Sequence, residues 1–142
     1  MNEGMAEQPP SAPGDRRATY AATLCAVIVA GLLCRWPALS LPPVVAKYAG
    51  AVLWGAMVYV VVSLVSPASP VAARLAVSAV VAAAAEFSQL IHWPWLDAFR
   101  QTTMGALLLG RTFAWWDIVA YWVGIAGIGA IDAKVIMPGQ RE

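Results

Sequence analysis

The chain has 142 residues, of which 61% are hydrophobic and 12% are charged, with a net charge of +1. Its mean hydropathy is +0.68. Ordinary soluble domains carry about 25% charged residues, so this composition excludes a conventional soluble fold. It also argues against a nucleic-acid partner, because the lysines and arginines are scattered and form no basic stripe interleaved with aromatic residues. The length allows one domain, and we expect an integral membrane protein.

The N-terminal part of the chain is predicted to be a polar tail followed by a membrane helix. Residues 1–15 are rich in Pro and Gly and are expected to be disordered. The apolar run from Ala18 to Trp36 follows Arg16-Arg17, a pattern that a signal peptide also shows. No small-residue cleavage site follows this run, however. We therefore expect a retained transmembrane helix that ends before Pro37.

Three further apolar runs predict three more transmembrane helices. They extend from about Val45 to Val65, Val71 to Trp93 and Trp115 to Val135, each near the ~20 residues that a bilayer requires. The predicted fold is therefore an all-α, polytopic four-helix membrane bundle over residues 16–137, with a C-terminal tail at residues 138–142. Between the third and fourth helices, residues 96–113 are too apolar for a solvated loop and are expected to form a short interfacial helix.

The orientation follows from the basic residues next to the helices. An even number of spans places both termini on one side, where five Lys and Arg lie against four on the other side. Because Arg16-Arg17 flank the first helix, we expect cytoplasmic termini. Five of the seven tryptophans then fall at the opposite, exoplasmic ends of the helices, where indole rings favour the headgroup level.

A candidate polar site is predicted at these exoplasmic ends. Glu86 lies within an apolar run, and an ionisable side chain at membrane depth usually has a partner or a function. Gln89 shares the helical face of Glu86, and Tyr121 shares that of Asp117. If the two faces meet, Glu86 can pair with Tyr121, Gln89 or an arginine. The candidate site residues are Arg35, Glu86, Gln89, Asp97, Arg100, Asp117 and Tyr121.

A series of short motifs follows one order along the chain: Gly31-Leu32-Leu33-Cys34-Arg35, Lys47-Tyr48-Ala49-Gly50, Leu53-Trp54, Glu86-Phe87-Ser88-Gln89-Leu90, Pro94-Trp95-Leu96-Asp97, Arg100, Gly105, Leu109-Gly110, Asp117 and Tyr121 with Gly124. This series resembles domain-of-unknown-function family 2809, a family of small bacterial integral membrane proteins. The resemblance implies a multi-pass protein of the bacterial inner membrane and no particular activity. A more distant likeness is to VanZ-like membrane proteins, in which a helix carboxylate followed by Gln, a loop Arg and an Asp opening the last helix occur in the same order.

The polar residues are compatible with several functions. Exoplasmic arginines beside tryptophans favour binding of a lipid headgroup or a lipid-linked envelope precursor. A non-enzymatic scaffold is the main alternative, and a proton-coupled transport subunit using Glu86 is a further one. Membrane lipid is therefore the expected partner, and small residues at four-residue spacing from Ala18 to Cys34 are compatible with a helix-packed homo-oligomer.

Catalytic and metal chemistry is less well supported by the sequence. Ser88 and His92 share a helical face, but no acid is placed to orient them. Glu86, His92, Asp97 and Asp117 show no metal-site spacing. Cys25 and Cys34 lie on opposite sides of one helix. A non-enzymatic role without cofactor or metal is therefore favoured.

Overall fold

The computed structural model describes residues 13–136, and every regular element in this range is helical. The helices are α1 (Pro13–Cys34), α2 (Pro43–Val65), α3 (Val71–Ser88), α4 (Pro94–Gln101), α5 (Thr103–Leu109) and α6 (Trp115–Ile131). A 3₁₀ turn covers Pro37–Leu39, and a π-helical turn, Asp132–Ile136, extends α6. Proline at the first position of α1, α2 and α4 suits a helix start, because its missing N–H would have no helical partner there.

Four of these helices, α1, α2, α3 and α6, are long and apolar enough to cross a membrane. This confirms the predicted four-helix membrane fold. Two helix ends differ from the prediction. α1 begins at Pro13, five residues before Ala18. Its first turn contains Asp15, and the helix dipole favours a carboxylate at that position. The rest of the predicted N-terminal tail and the predicted C-terminal tail, residues 138–142, lie outside the described residues.

The third helix ends earlier than predicted, at Ser88 rather than Trp93. The Arg100 side chain donates hydrogen bonds to the backbone carbonyls of Ser88 and Ile91. Carbonyls at the end of a helix lack part of their helical N–H partners, so these bonds stabilise the early end of α3. Trp93 is extended, as expected for a residue that precedes proline.

The interfacial segment consists of two short helices rather than one. Thr102 is extended between α4 and α5, and its side-chain oxygen accepts a hydrogen bond of 3.0 Å from the Gly105 backbone N–H. This is a standard N-cap. A side chain at Gly105 would overlap the Phe99 carbonyl, so the sharp turn between the two helices requires glycine there.

Within the bundle, α2 packs against α1, α3 and most extensively α6. The crossing of α2 and α6 depends on two glycines. A Cβ atom at Gly55 would overlap the Tyr121 backbone, and one at Gly124 would overlap the Val52 carbonyl. Close backbone approach at small residues is how membrane helices gain packing energy. The core beside this crossing contains Tyr59, Ala82 and Ile125.

Helix α1 is the least buried of the four spans. Only 6% of its most apolar window is buried within the described part of the chain, compared with 44% for α2. Ala18, Ala22 and Ala26 of its small-residue stripe are exposed. The stripe therefore does not pack inside this bundle, and most of α1 faces outward.

The four spans alternate in direction, which gives the bundle two distinct ends. We call the end with Arg35, Lys47, α4 and α5 the loop end, and the end where α1 begins and α6 finishes the terminal end. The five tryptophans predicted to line one face all lie at the loop end and are more than half exposed: Trp36, Trp93, Trp95, Trp115 and Trp116.

Candidate functional site

The loop end contains a polar cluster centred on Glu86. The Glu86 side chain is 1% exposed. Its Oε2 accepts hydrogen bonds from Tyr121 Oη (3.0 Å) and Gln89 Nε2 (2.9 Å), and its Oε1 accepts one from the Ala114 backbone N–H (2.8 Å). The predicted pairing of Glu86 with Gln89 and Tyr121 is confirmed. The third donor, the Ala114 backbone N–H, was not predicted. Ala114 immediately precedes α6, where the helix dipole favours a carboxylate.

Gln89 links this cluster to the interfacial segment. Its amide Nε2 also donates a 2.7 Å hydrogen bond to the Leu109 carbonyl, so both N–H groups of the amide are used. Its buried Oε1 has no partner among the described residues. Gly110, at a φ of +69°, lies directly beside it, since a Cβ there would be 2.6 Å from Nε2. Only glycine fits this position without strain.

A cavity of about 580 Å³ opens beside the cluster. Its walls carry three cations, Arg35, Lys47 and Arg111, and two carboxylates, Glu86 and Asp117. Lys47 Nζ lies 3.3 Å from Asp117 Oδ1, so these two charges compensate each other. Tyr121 also lines the cavity and packs on Trp54, with ring centroids 4.6 Å apart.

Arg35 and Arg111 are the cations of this cavity without a carboxylate partner among residues 13–136. The Arg35 guanidinium lies over Gly50, where a Cβ would be 3.1 Å from Nη2. Arg111 donates only to backbone carbonyls, those of Arg100 (3.2 Å) and Gln101 (3.3 Å). The cavity therefore carries two guanidinium charges that no side-chain anion of the described residues neutralises.

Two predicted site residues, Asp97 and Arg100, do not line this cavity. Arg100 is 3% exposed and turns toward the end of α3, where it binds Ser88 and Ile91 carbonyls and, at 3.1 Å, Asp97 Oδ1. The sequence analysis placed Arg100 in the same candidate site as Glu86. The structure instead places its guanidinium on backbone carbonyls at the end of α3, of which that of Ser88 also accepts the Ile91 N–H at 3.0 Å.

Ser88 and His92, which could form a nucleophile and its base on one helical face, have separate partners in the structure. Ser88 Oγ donates to the Ala85 carbonyl at 2.6 Å, and the exposed His92 faces Asp97, with Nδ1 3.6 Å from Oδ1. The two side chains are therefore not arranged as a nucleophile and its base. Within residues 13–136, no three His, Cys, Asp or Glu side chains are grouped to hold a metal ion.

A second polar cluster, at the terminal end, was missed by the sequence analysis. Arg74 of α3 and Asp132 at the end of α6 form an ion pair of 3.1 Å. Tyr20 of α1 and Tyr59 of α2 donate to the same carboxylate at 2.8 and 2.5 Å, and Arg74 Nη1 also contacts Tyr20 Oη. All four residues are at most 1% exposed. The cluster therefore joins all four spans.

This cluster changes the interpretation of Arg74. It is one of the five basic residues that the sequence analysis counted outside the membrane on the side of the termini. Without Arg74, the two sides of the membrane carry four Lys and Arg each. The signal that would have revealed the pair is the occurrence of opposite charges just inside the same end of two predicted spans. Charges at that depth are rare unless they are paired.

Together, four membrane-length helices, an aromatic belt at one end and buried polar clusters define a multi-pass integral membrane protein with a polar cavity at its loop end. The family model described as "Protein of unknown function (DUF2809)" matches residues 40–125. The chain belongs to this family, as its motifs predicted. The matched region includes the Glu86 cluster and ends before Asp132. No solved structure matches the chain.

Proposed function

We propose that this protein binds the anionic headgroup of a lipid or a lipid-linked envelope precursor in the loop-end cavity, on the exoplasmic side of the bacterial inner membrane. The observation that carries the proposal is the pair of guanidinium groups, Arg35 and Arg111, that line the cavity without a carboxylate partner among residues 13–136. A guanidinium offers a fixed fork of donors that matches phosphate oxygens.

The other polar groups of the cavity suit a headgroup that also carries hydroxyls. Gln89 lines the cavity, is 4% exposed and keeps a buried amide oxygen without a donor. A buried acceptor without a partner is costly, and a ligand hydroxyl would satisfy it. A glycerol or sugar phosphate provides both anionic oxygens and hydroxyl donors.

In this proposal Glu86 is a positioning residue. Its three donors are neutral and come from the residue after α3, from α6 and from the residue before α6. The carboxylate thus holds the cavity wall in place and leaves the guanidinium groups free of an internal counter-ion. The exposed tryptophans at the loop end keep the cavity at headgroup level.

The test measures lipid retention by the purified full-length protein, using native mass spectrometry. The probes are phosphatidylglycerol, which carries a phosphodiester and hydroxyls, and zwitterionic phosphatidylcholine with the same chains. Wild type should prefer phosphatidylglycerol. Arg35→Gln and Arg111→Gln should each weaken that preference about fivefold to tenfold, the effect of one charge-assisted hydrogen bond at a partly exposed site.

The matched control is Arg17→Gln, which removes the same charge from an exposed position on α1 at the terminal end. It should leave the lipid preference unchanged. Equal retention of both lipids by wild type, or the same loss in the control as in the cavity variants, would favour the scaffold alternative, in which the polar residues only fix helix packing.

A further inference from the structure

A second cavity adjoins the polar one and differs from it in chemistry. It has a volume of about 340 Å³ and lies between α1, α2 and α5. Its lining is apolar except for Arg35, and four residues line both cavities: Arg35, Trp54, Leu107 and Leu108. We call it the apolar groove. Among the described residues, Arg35 is therefore the one charged residue that lines both the polar cavity and the apolar groove.

The groove runs from the loop end into the membrane-spanning part of the bundle. On α1 its lining extends from Arg35 back to Val27, and on α2 from Gly50 to Met57. At about 1.5 Å per residue these stretches cover roughly 12 Å and 10 Å along the helices. Both stretches extend from the loop end toward the middle of the bundle, so the groove lies at the depth of the lipid acyl chains.

The geometry points to a membrane lipid as the occupant of both spaces, with its anionic headgroup in the polar cavity, one acyl chain in the apolar groove and Arg35 at the junction. This inference rests on the proposed function, because the headgroup site is the one proposed above. It adds a second binding site for the same ligand, one that holds an acyl chain. A soluble anion would fill only the polar cavity and leave the groove unused.

Two observations favour an acyl chain over a protein segment in the groove. The groove adjoins a cationic cavity and shares lining residues with it, so a ligand that fills both spaces joins an apolar part to an anionic part. In addition, most of the apolar window of α1 is exposed or half-buried, and the bilayer that surrounds it supplies acyl chains at this depth.

The groove can be filled by substitution without straining the protein. Gly31 lines it, and a Cβ at this position meets no atom within 4 Å. Gly31→Leu therefore places a side chain in the space of the acyl chain. Gly127→Leu is the matched control, since Gly127 of α6 has the same open surroundings and lines neither cavity.

We expect Gly31→Leu to reduce phosphatidylglycerol retention about tenfold, because the leucine side chain takes the space of the acyl chain, while Gly127→Leu retains the lipid like wild type. Soluble glycerol phosphate, which has the headgroup but no chain, should not displace the lipid from wild type at a hundredfold excess. If Gly31→Leu binds normally while Arg111→Gln does not, the groove inference is overturned and the headgroup proposal stands. If Arg35→Gln and Arg111→Gln are also without effect, the headgroup proposal itself fails.

A measurement on the unaltered chain gives an independent check. Phosphatidylglycerol with a photoactivatable diazirine in one acyl chain should label wild-type protein within residues 27–35 and 50–57. Labelling that is spread over the exposed faces of α3 and α6 instead would show that the chain does not lie in the groove, whatever the variants do.

Discussion

The buried ion pair between Arg74 and Asp132 allows a quantitative test of what holds the four spans together. We consider Arg74→Met, which removes the charge and keeps much of the volume, and Asp132→Asn, which keeps the shape and removes the opposite charge. The two side chains are 1% and 2% exposed, and their charged atoms are 3.1 Å apart. At an effective dielectric constant of ~20, two unit charges at that distance attract by about 5 kcal/mol.

The hydrogen bonds of the two tyrosines to the same carboxylate contribute less. Hydrogen bonds between membrane helices average about 0.6 kcal/mol and reach about 1.7 kcal/mol. Tyr20→Phe and Tyr59→Phe should therefore each lower the free energy of unfolding by about 1 kcal/mol. Each ionic single variant should lower it by about 3–5 kcal/mol, because it leaves one buried charge without compensation.

The decisive measurement is a double-mutant cycle on the free energy of unfolding in mixed micelles. The double variant Arg74→Met with Asp132→Asn leaves no uncompensated charge, so it should be destabilised no more than either single variant. We expect a coupling energy of at least about 2 kcal/mol. Additive losses, or single variants within about 1 kcal/mol of wild type, would refute the argument that this pair ties α3 to α6.

Further predictions concern the other contacts. Glu86→Gln should keep the fold, whereas Glu86→Leu should lower stability by about 1–3 kcal/mol for each buried donor left unpaired, as checked by thermal unfolding. Gly124→Ala should cost about 1–3 kcal/mol, because its Cβ overlaps the Val52 carbonyl; Gly127→Ala, with open surroundings, should cost nothing. Arg100→Lys should lower stability and leave bound lipid unchanged, since Arg100 faces the Ser88 and Ile91 carbonyls. Altered lipid content would instead indicate that Arg100 contacts the headgroup. Reporter fusions after residues 40, 68, 103 and 142 should alternate between the two sides of the membrane, with residue 142 cytoplasmic; an exoplasmic reporter there would reverse the orientation.

The parts of the structure that sequence could predict are those set by bilayer thickness and helix periodicity. Span number follows from the length of each apolar run. The contact between Glu86 and Gln89 follows from their three-residue spacing, and the meeting with Tyr121 follows from equal depth on two spans. Each of these features depends only on the geometry of a single helix or on depth in the membrane.

What sequence could not predict depends on how the helices turn toward one another. An eight-residue helix such as α4 has too few turns for its periodicity to show which face meets the bundle, so the burial of Arg100 at the end of α3 could not be predicted. Asp132 lies near the end of a predicted span, where a charged residue usually reaches toward the headgroups. Its burial depends on Tyr20 and Tyr59, which come from two other helices and carry no spacing signal.

The two polar clusters differ in a way that bears on function. At the terminal end, each charge faces its opposite, and the four residues of the cluster are at most 1% exposed. At the loop end, two guanidinium groups lack a carboxylate partner within residues 13–136, and a cavity of about 580 Å³ opens beside them. A transport path needs access from both ends of a bundle, whereas a binding site needs access from one end and unsatisfied charge. The arrangement therefore favours retention of an anionic amphiphile over passage of an ion.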